Sequence, residues 1–207
     1  MEELIKNFKA MFRADFKKNP TFENVETKFS GSIDEVIQKQ AKNIGINEDL
    51  IYFLWYTNGF EASWDYDLDQ NLLGRMKILK IEDILADTWE EYFCGATPDE
   101  KLRSFKPIDF FTEEACVGLV LDGSGEQTMY YHDLGDNELF SLDIDFKSYF
   151  ELAIDAKMMF GWQRYLVHLI NPRNYTIDFP EKMEKLFPDF ELEAFTAKFE
   201  SRRLSKK

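Results

Sequence analysis

Four short apolar or alternating segments lie in the middle of this 207-residue chain, separated by turn-forming residues. They cover residues 105–111, 116–122, 128–134 and 138–144, and their length and spacing predict a meander of adjacent, mostly antiparallel strands. The run from Cys116 to Leu121 contains no polar residue, so we expect a central strand that is buried on both faces. With a further strand over 76–81, the pattern indicates one sheet.

Helical periodicity dominates on both sides of these strands. Before them, helices are predicted over residues 3–18, 32–43, from an Asn47 cap to Thr57, over 81–93, and as a short turn at the capping box of residues 97–100. After them, helices are predicted from Asp145, beyond Gly161, and near 180–187 and 190–204 with Asp178 and Asp189 as caps. The order helices, sheet, helices predicts an α+β fold. We divide it into an N-terminal helix and connector (1–29), an α+β domain (30–160) and a helical extension (161–207).

Composition and charge exclude several classes of protein. Hydrophobic residues make up 44% of the chain and include 20 Phe, which predicts a substantial core and excludes disorder for the bulk. The net charge of -14 argues against nucleic acid or an anionic membrane as a partner, and favours a basic one. The excess is local, because residues 45–160 carry 25 acidic and 8 basic residues. With no basic leader and no long apolar run, we expect a cytoplasmic protein.

An alternating acidic run covers Asp65–Asp69. It begins like a calcium loop, but Gln70 and Met76 stand where an EF-hand has its glycine and its bidentate glutamate, so that interpretation fails. An extended segment would alternate carboxylates with apolar side chains, placing Asp65, Asp67 and Asp69 on one side and Trp64, Tyr66 and Leu68 on the other. Two interpretations stay open: a solvated edge protected by its charge, or a surface that faces a partner.

No motif in the sequence indicates catalysis. The segment Asp122–Glu126 has a serine between glycines, but it lies where two strands must be joined, and a hairpin turn explains it. The chain has two histidines and no zinc-ligand spacing, and phosphate-binding glycine motifs do not occur. Cys94 and Cys116 are interpreted as free thiols without a role. We therefore expect no enzyme, no cofactor and no metal site.

Several segments, taken in chain order, match the pattern of one family. They are the helix end Ile46–Gly59, the strand and helix start Gly74–Ile84, the strand Pro107–Phe111, the glycine of Val117–Leu119, the strand Met129–Asp133 and the helix Phe146–Leu152. Together they resemble the SUKH superfamily, which includes fungal cell-wall synthesis regulators and many bacterial toxin-immunity proteins. The resemblance covers about residues 30–155. It implies an α+β binding module without catalytic residues.

The resemblance implies an immunity protein that binds a toxin, commonly a nuclease, in a stoichiometric complex. The acidic charge agrees with this, because nucleases need cationic clefts. Exposed ion pairs are individually weak, so aromatic anchors are also expected. The predicted partner-binding residues are Trp64, Asp65, Tyr66, Asp67, Asp69, Asp133, Asp136 and Glu138. Two alternatives are a regulatory scaffold with several weak partners and a metal-dependent hydrolase, for which calorimetry would show binding of a divalent metal.

Overall fold

The computed structural model describes residues 1–86, 100–133, 138–172 and 176–206. In this part of the chain, seven strands form one sheet, and each strand pairs antiparallel with the next in sequence. The strands are β1 (Phe22–Phe29), β2 (Phe60–Tyr66), β3 (Leu73–Ile78), β4 (Phe105–Asp109), β5 (Ala115–Val120), β6 (Met129–Asp133) and β7 (Leu139–Ser141). The predicted α+β class is confirmed.

Helices precede, interrupt and follow the sheet. They are α1 (Glu2–Phe12), which a π-helical turn at Arg13–Lys17 extends, α2 (Glu35–Asn43), α3 (Glu48–Tyr56), α4 (Ile81–Leu85), α5 (Glu100–Arg103), α6 (Phe146–Asp155), α7 (Trp162–Ile170), α8 (Phe179–Leu186) and α9 (Leu192–Arg202), followed by a 3₁₀ turn at Leu204–Lys206. The predicted residues 87–93 of the fourth helix and 97–99 of the capping box lie outside the described residues. None of the described helices has both the length and the hydropathy needed to cross a membrane.

Side-chain caps mark three of the described helix starts. The Asn47 side chain accepts a hydrogen bond from Leu50 N at 2.7 Å, and Asp145 accepts one from Ser148 N at 2.8 Å, so both predicted caps are confirmed. The predicted Asp189 cap is wrong, because α9 begins at Leu192 with Glu191 in the cap position.

The main core lies between one face of the sheet and helices α1, α3 and α6. Phe8 of α1 packs edge-on against Phe60 of β2 at 5.0 Å between ring centroids, and 5.9 Å from Phe150 of α6. Phe16 stacks on Trp64 at 5.0 Å. Because the apolar stripe of α1 is buried within its own chain, the first helix is a part of the core.

β1 was missed, β2 was predicted only in part by the extended segment that starts at Trp64, and the predicted central strand was found. β1 lies within the segment interpreted as a connector; it is half exposed along the sheet edge and its register shifts between Glu23 and Glu26, which obscures the alternation. All six residues of β5 are buried, as predicted. The domain boundaries at residues 30 and 160 stay a prediction.

The C-terminal helices explain part of the charge asymmetry. Lys198 pairs with Asp155 at 2.6 Å, Arg202 with Glu151 at 2.7 Å, and the Arg203 Nε with the Asp143 carboxylate at 2.8 Å. Each pair joins a base of the C-terminal segment to an acid of the central segment. The excess negative charge of residues 45–160 is therefore partly neutralised by ion pairs within the molecule.

Candidate functional site

Every second connection of the meander lies at the same end of the sheet. The register places the β2–β3 turn, the β4–β5 loop, and the adjoining ends of β6 and β7 together there: Asp65 pairs with Leu73, and Ala115 pairs with Asp133. We call this the loop end and define it by Asp65–Leu72, Phe110–Glu114, Asp133 and Glu138. β3 and β6 are three strand spacings apart, about 14 Å. The loop end therefore brings together predicted residues from distant parts of the sequence.

The acidic run does not keep the predicted alternation. β2 ends at Tyr66 and the chain then turns, so the three carboxylates do not share one extended face. Asp65 forms an ion pair with Arg75 and accepts a hydrogen bond from Asn24 Nδ2 at 2.7 Å. The Asp67 side chain is exposed and has no hydrogen bond or ion pair with any described residue.

Asp69 is held by a cation from the C-terminal helices. Lys185 Nζ of α8 lies 2.8 Å from its carboxylate, and the Asn71 amide donates to the same side chain at 3.0 Å. Both hydrogen bonds lower the pKa of Asp69, and the hydrogen bond from Lys185 has the larger effect. Asp69 therefore fastens the turn to α8.

The prediction that Trp64 faces a partner is wrong. Its side chain is fully buried, it stacks on Phe16, and its indole Nε1 donates to the Lys157 carbonyl at 2.8 Å. Trp64 is buried because the even-numbered residues of β2 lie on the side of the sheet that the helices cover. Tyr66 is half-buried and packs 5.7 Å from Phe22, whereas Leu68 is 76% exposed.

The second predicted group, at the junction of β6 and β7, is also partly paired. Asp133 accepts a hydrogen bond from Arg164 of α7 at 3.0 Å. Glu138 is exposed, and its carbonyl lies 3.2 Å from His132 Nδ1. Asp136 lies outside the described residues. The structure thus places Asp133 and Glu138 at the loop end, beside the β4–β5 loop.

Sequence reasoning missed the residues between these two groups. Glu113 and Glu114 are absent from the predicted partner-binding residues, but they lie in the middle of the loop end. Both are exposed, and their carboxylates have no ion pair or hydrogen bond within the described part of the chain. With Asp67 they are the loop-end carboxylates most available to a cation. No local signal marks them, because only the sheet register brings them there.

A recess of about 240 Å³ opens beside Glu114. Its walls come from the β4–β5 loop, from the start of α7 and from the start of α8. Phe111 lies between Tyr131 and Phe160, with ring centroids 6.5 Å and 6.4 Å away. The two cations at the recess are paired, Arg164 with Asp133 and Lys182 with Asp178 at 2.8 Å.

A buried polar chain runs from the sheet to this recess. Asp109 is completely buried and accepts hydrogen bonds from Lys77 N at 2.7 Å and from the Tyr149 hydroxyl at 2.5 Å. Gln163, which lines the recess, donates through Nε2 to the Tyr149 oxygen at 3.3 Å. Burial raises the pKa of Asp109 to about 6, although its two hydrogen bonds oppose this.

The other candidate chemistry is placed elsewhere. Asp122–Gly125 lie in the connection of β5 to β6, with positive φ at Gly123 and Gly125, as expected of a turn. Burial, followed by the charge of Asp109, raises the pKa of the Cys116 thiol. Among the described residues, no group of three or more His, Cys, Asp or Glu side chains is arranged to hold a metal ion.

Comparison of the chain with protein-family models, with curated proteins and with solved structures found no match. The resemblance to the SUKH superfamily therefore depends on the sequence segments alone.

Proposed function

We propose that this protein is a binding module that neutralises a basic toxin domain by stoichiometric binding, and that the partner contacts the loop end. One observation carries the proposal. The carboxylates of Asp67, Glu113 and Glu114, which are unpaired within the described residues, lie at the same end of the sheet although 46 positions of sequence separate the first from the second. A nuclease, with its cationic phosphate-binding cleft, is the toxin class that this charge favours.

The paired acids of the loop end have a different role from the unpaired ones. Asp65, Asp69 and Asp133 each form an ion pair with a basic residue of the same chain. Their charge is therefore largely neutralised within the molecule. They hold the turn and the neighbouring strand in place. The unpaired carboxylates then present charge from a fixed framework, which favours fast and selective association.

Charge alone does not supply a tight complex, since exposed ion pairs contribute about 0–1 kcal/mol each. Two large apolar side chains are exposed to solvent, one within the loop end and one beside it. Leu68 is 76% exposed in the β2–β3 turn, and Phe160 is 37% exposed where its amide donates to the Leu73 carbonyl at 2.8 Å. In our proposal these two side chains replace Trp64 as the apolar anchors.

Co-expression tests the proposal. The chain is expressed with the toxin-like product encoded beside its gene, and cell survival is scored. We expect rescue by the wild type and weaker rescue by the triple variant Asp67→Asn, Glu113→Gln, Glu114→Gln. The matched control removes three exposed charges away from the loop end, in Glu35→Gln, Asp83→Asn, Glu100→Gln, and should rescue like the wild type. Equal rescue by both triple variants would refute the assignment of the loop end.

Large exposed side chains of α2 and α3 favour a second candidate function, that of a scaffold. Val36 of α2 and the pair Trp55 and Tyr56 of α3 are 66%, 47% and 40% exposed, which is unusual for side chains of this size. A scaffold with several partners would use such a second surface in addition to the loop end. Several weak partners instead of one tight partner would favour this function.

A further inference from the structure

We propose that the recess beside Glu114 receives the guanidinium of an arginine side chain from the partner. This inference rests on the proposed function, since it identifies the group through which a basic partner is held. The recess is defined by Phe111, Glu114, Tyr131, Phe160, Gln163 and Arg164.

Size favours one side chain over a small-molecule ligand. The recess measures about 240 Å³, below the roughly 300–1,000 Å³ typical of ligand pockets. It opens to solvent next to the exposed Glu114 and Phe160. A long side chain that projects from a docked protein would fit a recess of this volume at this position.

An unpaired acceptor in the wall calls for an N–H donor. Tyr149 donates its hydroxyl proton to Asp109, so the Tyr149 oxygen can only accept from Gln163. This fixes the Gln163 amide with Nε2 towards Tyr149. No described residue donates a hydrogen bond to its Oε1, although Gln163 is 1% exposed. A buried acceptor in this state costs free energy until a donor reaches it.

Charge and aromatic rings select a cation as that donor. Arg164 and Lys182 are paired with Asp133 and Asp178, so among the described residues at the recess Glu114 contributes the one uncompensated charge, which is negative. The rings of Phe111, Tyr131 and Phe160 form much of the wall, and cations bind to aromatic faces. Lys182 Nζ already lies 5.8 Å from the centre of the Phe160 ring.

A guanidinium satisfies these features better than an ammonium. It is planar, it stacks on aromatic rings, and its five N–H donors can reach an amide oxygen and a carboxylate at the same time. The Gln163 oxygen and the Glu114 carboxylate would be its two acceptors. We therefore assign the recess to arginine.

The test uses the whole chain and a free probe. The ¹⁵N-labelled protein is titrated with Nα-acetyl-arginine amide, and amide shifts of Gly161, Gln163 and Glu114 are followed. We expect saturable binding in the millimolar range, and much weaker binding of the uncharged isostere Nα-acetyl-citrulline amide. Glu114→Gln should weaken binding about threefold. Gln163→Met should weaken it about tenfold. Glu100→Gln, which removes an exposed acid at the other end of the sheet, is the matched control and should bind as the wild type does.

Three results would overturn the assignment: no saturable shift at these amides, equal binding of the citrulline probe, or equal weakening by Glu100→Gln and Glu114→Gln. Preference for an acidic probe, Nα-acetyl-glutamate amide, would also overturn it and would indicate that the start of α7 binds anions. Because the titration needs no toxin, its result is independent of the co-expression result. If the probe binds but the protein does not rescue cells, the toxin-neutralising function is refuted and the assignment of the recess to arginine stands.

Discussion

Replacing Asp109 by Asn should change how the stability of the protein depends on pH. Asp109 is fully buried, and burial raises its pKa from 3.8 to about 6. One pKa unit corresponds to about 1.4 kcal/mol, so the buried charge costs about 3 kcal/mol once Asp109 is ionised in the folded state. The sign follows from linkage: the folded state binds the proton more tightly than the unfolded state, so stability falls as the pH rises through about 6.

The magnitude over an accessible range is smaller. Between pH 5 and pH 8 the unfolded carboxyl is ionised throughout, while the folded one loses its proton. The wild type should therefore lose about 1.4 kcal/mol of unfolding free energy from this group. Asp109→Asn has no such loss. Its amide can still accept from Lys77 N and can donate to the Tyr149 oxygen, whose proton is then free to turn towards Gln163.

Urea unfolding of the wild type and of Asp109→Asn at pH 5 and pH 8 measures this effect. The difference between the two proteins cancels every other titrating group, and it should move by about 1.4 kcal/mol in favour of the variant at the higher pH. A difference that is the same at both pH values would refute the reasoning, because it would mean that the folded chain accommodates the Asp109 charge without cost.

Two further stability predictions follow from close contacts. Gly118→Ala should destabilise the protein by about 3 kcal/mol, because the added Cβ would lie 2.1 Å from the Lys106 carbonyl oxygen. Gly31→Ala is the control and should be neutral, because there is open space around Gly31. Equal melting temperatures of the two variants would contradict this prediction. Arg203→Ala should cost about 2 kcal/mol and speed proteolysis of the C-terminus, because Asp143 loses a charged hydrogen bond. Lys206→Ala, at a more exposed pair, should have little effect, and an equal effect of both would contradict the role of Arg203.

Local sequence signals predicted most of the fold. The Asn47 and Asp145 caps, the stripe of α1 and the apolar run of β5 each act within a few residues, so their periodicity and chemistry are visible in the sequence alone. β1 escaped because an edge strand buries few side chains and a bulge shifts its register.

The candidate site was harder to predict, because its parts are distant in sequence. Alternation correctly separated Trp64 from Asp65, but it could not tell which side of the sheet the helices cover. The pairing of Asp69 with Lys185 joins residues 116 positions apart, and no local pattern indicates it. The recess likewise combines four segments that only the tertiary structure brings together.

Hydrogen exchange of the protein alone and in complex with the purified toxin-like partner tests the binding role of the loop end most directly. We predict slower exchange in residues 66–72 and 110–115 of the complex, with no change in α2 and α3. Slower exchange confined to α2 and α3, with the loop end unchanged, would contradict it.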